Sequence, residues 1–347
     1  MPQRRDLRHP RRGPSPTSSD PPRGKPLKSP RAWLRLPRIH WRSPELWSRL
    51  WLLSLAAVGA IAAIILLDLV WREADRSGTS ADQLTAASLG EKPQRAVTVL
   101  VIGSDADKLQ GPSSGAAPAG PANGDALILV RVNPEGPLQI LNLPVDLAVM
   151  LPGQSEPQRL GDLYRQGGIA LTADVLRELL GLRAPAPDRY VVLPRRVLRQ
   201  VVSEMGGLEV SPPRTMRYED KSQKLKIDLQ SGLQRLNGVN VEHLVRFKDK
   251  WLGEAGRRQN QELVIASLWE AMAQPKTLVR LPELLEAVEG QVDTNLSLEE
   301  ALSLLAAGLD DERPIQFTSL PLEPIKESHG GLRQLSISND GSLWKAP

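Results

Sequence analysis

The sequence predicts an α/β domain in which a β-sheet carries helices on its faces, preceded by a disordered tail and one transmembrane helix. Short β-branched runs alternate with longer segments of helical period, and Gly or Pro separates most of them. Roughly 250 residues of this mixture fit one domain better than two. Ahead of it lies an uncharged apolar run, Leu50 to Leu67, which sets the N-terminal part of the chain apart.

Residues 1–46 are rich in Pro, Ser and Arg, a composition that buries too little apolar surface to fold, so this tail is expected to be disordered. The stretch 47–71 reads as a membrane-spanning helix. Its apolar run is long enough at about 1.5 Å per residue to cross a hydrocarbon layer of roughly 30 Å. Trp47, Trp51 and Trp71 sit near its ends, where indole rings favour the headgroup boundary. Residues 1–49 hold thirteen Lys and Arg against Asp6, Asp20 and Glu45, leaving this part at about +10 and the remainder at about −6. Lysines and arginines beside a span stay on the cytoplasmic side, which places the C-terminal part outside the cell. Trp71-Arg72-Glu73 follows the run where a cleaved signal peptide would need small residues, so the segment reads as a retained anchor. The polar stretch 72–95 reads as a linker.

The folded domain is predicted over 96–320, with 321–347 a C-terminal extension. Ala96 to Ile102 is a β-branched run closed by Gly103, the pattern of a strand buried on both faces. A Gly- and Pro-rich loop leads to two further strands, Ala126 to Val132 and Leu138 to Leu143, joined as a hairpin through Asn133-Pro134-Glu135-Gly136. Thr172 is placed to cap a helix ended by Gly181. Tyr190 to Leu193 and Leu208 to Val210 read as strands flanking a helix from Pro194 to Met205, stopped by Gly206-Gly207. Helices are expected over Val239 to Phe247 and Gly256 to Met272, and Ser297-Leu298-Glu299-Glu300 is a capping box ahead of another.

Cysteine is absent, which removes disulfides, thiolate metal sites and a Cys nucleophile. Only His243 and His329 lie outside the tail, too few for a three-His metal site. Chemistry therefore falls to carboxylates, arginines and a borrowed cation. Gly103-Ser104-Asp105 ends the first strand and Gly124-Asp125 precedes the second, so two carboxylates can converge at one sheet edge to hold a cation such as Mg²⁺ or to act as a base. Equally, Asp beside Gly can simply make a turn. Arg246 and Lys248 are followed by Arg257 and Gln261, which would share one face at the start of a helix opened by Gly256. Guanidinium groups at a helix N-terminus suit phosphate oxygens, although arginine-rich helix surfaces are commonly just solvated.

In this order behind one anchor, Val99-Leu-Val-Ile-Gly-Ser-Asp105, Gly124-Asp-Ala-Leu-Ile-Leu129, Leu141-Asn-Leu-Pro-Val-Asp146, Met205-Gly-Gly-Leu-Glu-Val210, Val245-Arg-Phe-Lys248 and Gly256-Arg-Arg-Gln-Asn-Gln261 resemble the LytR-CpsA-Psr family. The resemblance implies a mixed central sheet with an apolar groove for a polyprenyl chain. It implies transfer of a glycopolymer from a polyprenyl-pyrophosphate carrier to peptidoglycan at the outer face of a bacterial membrane. By the same resemblance Asp105 and Asp125 hold Mg²⁺ or activate the acceptor, Asp125 and Arg257 are the catalytic pair, and Arg246, Lys248, Arg257 and Gln261 bind pyrophosphate. The chain departs from the pattern the resemblance implies at Val145, Asp107, Asn123 and Asn260, which lower positive charge at one anion site, and at Lys248, which keeps the charge but trades a planar fork for a point donor. Those departures keep open a second reading, a lipid-binding envelope scaffold that has lost activity. A regulator acting through the basic tail lacks any helix-turn-helix pattern, so no nucleic-acid partner is expected.

Overall fold

A computed structural model describes residues 85–111, 121–310, 314–325 and 331–336. The expected tail and membrane helix lie outside the described residues. Among those described, no helix is long and apolar enough to cross a membrane.

The centre is a six-stranded sheet in the order β11-β6-β1-β2-β3-β12. Its strands are β1 (Val97–Ser104), β2 (Gly124–Val132), β3 (Leu138–Leu143), β6 (Arg189–Leu193), β11 (Asp293–Thr294) and β12 (Ile315–Thr318). Strand β2 runs antiparallel to both β1 and β3, while β6 runs parallel to β1 and β12 parallel to β3, so the sheet is mixed. Alternation along each strand sends Leu100, Ile102, Leu127, Leu129, Leu141 and Leu143 to one face. There they meet Leu163, Leu176 and Leu180 of helix α1 (Leu163–Leu180), each of these worth about 2 kcal/mol when fully buried. The opposite face carries Val97, Val99, Val132, Leu138 and Ile140. It packs on Ile265 and Trp269 of α4 (Gly253–Ala273) and on Leu304 and Ala307 of α7 (Leu298–Gly308). Helices thus cover both faces.

A second apolar cluster joins α2 (Arg195–Glu204), α3 (Gly238–Arg246) and α4 to two short antiparallel strand pairs. These are β7 (Leu208–Val210) with β10 (Gln234–Leu236), and β8 (Met216–Asp220) with β9 (Leu225–Leu229). Helices α5 (Pro275–Leu278) and α6 (Leu281–Val288) lead toward β11. Strand β4 (Ala148–Val149) pairs with β5 (Gln158–Arg159), and β13 (Leu322–Pro324) with β14 (Arg333–Leu335).

Two sequence expectations are corrected. Thr172 does not cap a helix. It lies inside α1, where its hydroxyl donates to the Gly168 carbonyl at 2.8 Å. The chain leaves helical geometry at Gly167 and at Gly168, whose φ of 63° favours glycine, so a short first helix precedes the longer one. Gly256 likewise does not open its helix. Helix α4 begins at Gly253, because the Asp249 carboxylate accepts from the backbone of Trp251 and Leu252 and turns the chain one winding earlier. Arg257 therefore stands in the second turn, and Glu254 occupies the first, where a negative charge suits the helix dipole. At Ser297 the expected cap forms, its hydroxyl accepting from the Glu300 amide at 3.1 Å, while the Glu300 carboxylate turns to Arg189.

Candidate active site

Strands β1 and β6 end side by side at Ser104 and Leu193, and a polar cavity of about 550 Å³ opens there. Crevices beyond the carboxyl ends of parallel strands are natural ligand sites. The cavity gathers Asp105, Asp125, Arg246, Lys248 and Arg257, so five of the six expected site residues meet in one place. Gln261 lies on the wall of an adjoining apolar cavity of about 200 Å³, lined among others by Val101, Leu198, Val245, Val264 and Leu268. Asp125, Arg195, Arg246 and Arg257 line both cavities and form the seam between them.

The carboxylates are held differently. Asp105, 7% exposed, accepts from the Asn123 amide at 3.0 Å and from its side-chain nitrogen at 3.1 Å. Burial pushes its carboxyl above the ordinary value, and the neighbouring Asp125 charge adds to the rise, outweighing the hydrogen bonds from Asn123. Asp125 is more exposed and lies 3.6 Å from the Arg257 guanidinium. The Gln261 side chain contacts the Asp125 carbonyl at 3.5 Å and accepts from Asn142 at 3.3 Å, tying β2 and β3 to α4.

Two nearly buried glutamates organise the cations. Glu254 faces Arg257 at 2.7 Å, Lys248 at 2.9 Å and Arg159 at 3.7 Å. Burial alone would raise its carboxyl, but the charge of Arg257, helped by Lys248 and Arg159, holds it below the ordinary range. Glu242 receives Arg195 and Arg246, each at 3.1 Å, together with Arg199. Against the same burial term, Arg199 first and then Arg195 and Arg246 keep Glu242 low. Arg246 also donates to Gln223 at 2.6 Å. Each glutamate thus holds three cations, of which all but Arg199 line the polar cavity.

Sequence reading missed Arg159 and Arg195, both of which line the cavity. Arg195 follows Pro194 at the end of β6, a strand-end signal of the kind that singled out Asp105. Arg159 sits on a two-residue strand with no signal of its own. Val145 is 6% exposed and packs in the core beneath α1, and it lines neither cavity. Arg159 and Arg195 bring positive charge to the cavity from other elements.

The chain comes close to itself under the site. A Cβ on Gly161 would stand 2.8 Å from the Gly124 carbonyl and 2.9 Å from the Val145 Cβ. Gly161→Ala is expected to cost about 1–3 kcal/mol and to displace the Gly124-Asp125 segment, lowering ligand affinity along with stability. Chemical denaturation and a diphosphate titration of the same sample check both effects; unchanged values would show that the contact relaxes freely.

The pattern of the LytR_cpsA_psr family matches residues 71–341. The chain belongs to the LytR-CpsA-Psr family. It is 25% identical over 252 residues to the regulatory protein MsrR of Staphylococcus aureus (strain COL), covering 71% of this chain and 69% of that one. It is 25% identical over 187 residues to the polyisoprenyl-teichoic acid–peptidoglycan teichoic acid transferase TagV of Bacillus subtilis (strain 168), covering 52% of this chain and 46% of TagV. The crystal structure of B. subtilis TagV matches this LytR-CpsA-Psr fold with a TM-score of 0.56 at 20% identity, over 70% of this chain and 91% of that one.

Proposed function

We propose that this LytR-CpsA-Psr protein is a membrane-anchored phosphotransferase that attaches a glycopolymer from a polyprenyl-pyrophosphate carrier to peptidoglycan. The carrying observation is the seam: a cation-rich polar cavity opens directly into an apolar one, and Asp125, Arg246 and Arg257 belong to both. A diphosphate bearing a hydrocarbon chain has those two halves. The teichoic acid transferase name of TagV supports the reading, as does the uncharged run in residues 47–71 that would hold the domain at the membrane.

In the proposed reaction an acceptor hydroxyl oxygen bonds to the polymer-side phosphorus as the diphosphate bridge breaks. Polyprenyl monophosphate leaves and the hydroxyl proton passes to Asp125, giving a phosphodiester. Arg246, Arg257 and Lys248 offset charge on the diphosphate, and Arg159 and Arg195 extend that field. Gln261 positions Asp125 through its backbone. Mg²⁺ fits this donor set. Asp105 and Asp125 repel one another across the site, which a divalent cation relieves. Among the described residues no cluster of three or more His, Cys, Asp or Glu is built to cage a metal. Mg²⁺ commonly takes one or two carboxylates and completes its shell with phosphate and water. When bound it would screen phosphate charge.

The test combines the full chain with a polyprenyl-pyrophosphate-linked glycan, peptidoglycan and Mg²⁺. A new phosphodiester link is expected, and chelation of Mg²⁺ should lower its yield by at least about tenfold, restored by adding the ion back. Tight binding of the lipid with no product under any condition would leave the scaffold reading in its place.

A further inference from the structure

On the opposite side of the sheet from the apolar cavity lies an open cleft of about 640 Å³ that the reaction above does not use. Residue parity places it. Val101, Gly103 and Ile128 line the apolar cavity on the α4 face. The cleft instead rests on Ala106 and Val192, whose neighbours Leu100 and Ile102 face α1. Ser104 lines both spaces, and Ser104 and Ala106, the two neighbours of Asp105 in the chain, both line the cleft.

The side chains around the cleft are of a particular kind. Tyr164 offers a half-buried ring, and the same lining includes the exposed residues Gln110 and Gln166, the latter's amide also donating to Gln158 at 3.4 Å. Lys108 and Arg165 bring cations, and Asp293 brings a carboxylate that accepts from the Tyr190 hydroxyl at 3.2 Å. A flat ring among amides, one acid and two cations suits a chain of N-acetylated sugars. The ring packs on the C–H face of a pyranose, amides pair with hydroxyl and acetamido groups, and a cation meets a sugar-borne carboxylate.

We infer that this cleft binds the acceptor, a carboxylate-bearing amino-sugar strand, and presents its hydroxyl to the Asp105–Asp125 edge. The inference rests on the transfer reading of the seam. Displacement at phosphorus puts the attacking and leaving oxygens on opposite sides. With the leaving polyprenyl phosphate drawn into the apolar cavity on the α4 face, a hydroxyl entering from the α1 side, where the cleft lies, meets that in-line requirement. The new P–O bond forms from that side, and the bond to polyprenyl phosphate breaks toward the other.

The experiment measures binding of a soluble, uncross-linked peptidoglycan glycan strand to the full chain in detergent, together with KM for acceptor and for lipid-linked donor. Tyr164→Ala is expected to weaken strand binding and raise the acceptor KM about tenfold, leaving the donor KM unchanged. Gln166→Ala, at an exposed position outside the core, should give a smaller loss of about threefold in the same two readouts, which separates contact with the sugar from damage to folding. Arg257→Ala should leave strand binding intact. Strand affinity unchanged in both cleft variants would overturn the inference, and so would a donor KM that rises in place of the acceptor KM. If the strand binds as expected but no phosphodiester forms, the cleft assignment stands and the transfer reading fails.

Discussion

Asp125→Asn is expected to lower transfer by about 10²–10⁴-fold while leaving the affinity for the lipid-linked donor nearly unchanged. The side chain lies 3.6 Å from Arg257 on the seam between the two cavities, and its replacement keeps shape while removing charge and basicity. A separate readout follows from its neighbour. The Asp125 charge helps hold the Asp105 carboxyl above its ordinary value, so in the variant Asp105 should titrate lower. Carboxyl-selective NMR reads that shift and single-turnover kinetics the rate. A variant that turns over at the wild-type rate would remove Asp125 from the chemistry.

Glu242→Ala should cost about 3–5 kcal/mol of stability, the usual penalty for leaving buried charge without its partner. The carboxylate is 6% exposed and serves three arginines, whose mutual repulsion the variant releases. Its pH dependence has a definite sign. The folded-state pKa of Glu242 is depressed, so its contribution is fully present above the unfolded carboxylate value and is lost as pH falls through the lower, folded one. Glu254 acts in the same direction. Denaturant midpoints of the wild type should therefore drop on acidification below the ordinary carboxylate range, and the acid slope should be shallower in Glu242→Gln. Identical slopes in the two proteins would show that Glu242 has no such linkage.

The sheet was legible because its strands are self-declaring. Strands β1 to β3 are β-branched runs bounded by turn residues, and their observed limits differ from the expected ones by at most two residues. Hairpin β8–β9 escaped notice although Met216 and Tyr218 alternate with polar residues, as do Leu225, Ile227 and Leu229. That hairpin brings Tyr218, Gln223 and Leu225 to the cavity. Arg159 was invisible for a different reason: only pairing with β4 fixes where its strand runs. The helix assigned to a Thr172 cap starts about a turn earlier, because the chain re-enters helical geometry directly after the break at Gly167 and Gly168. Residue types thus announced the acidic edge and Arg257, while the place of Arg159 at the cavity emerges only from tertiary structure.

Strand β12 has a consequence for manufacture of the chain. It covers the outer edge of β3, all six of whose residues are buried, yet it is drawn from residues 315–318, long after its neighbour has been made. A nascent polypeptide stopped short of that point would carry nearly the whole sheet with one flank bare, a template for docking onto another copy. Premature termination should consequently yield self-associating material, even though every residue of the candidate site is already present.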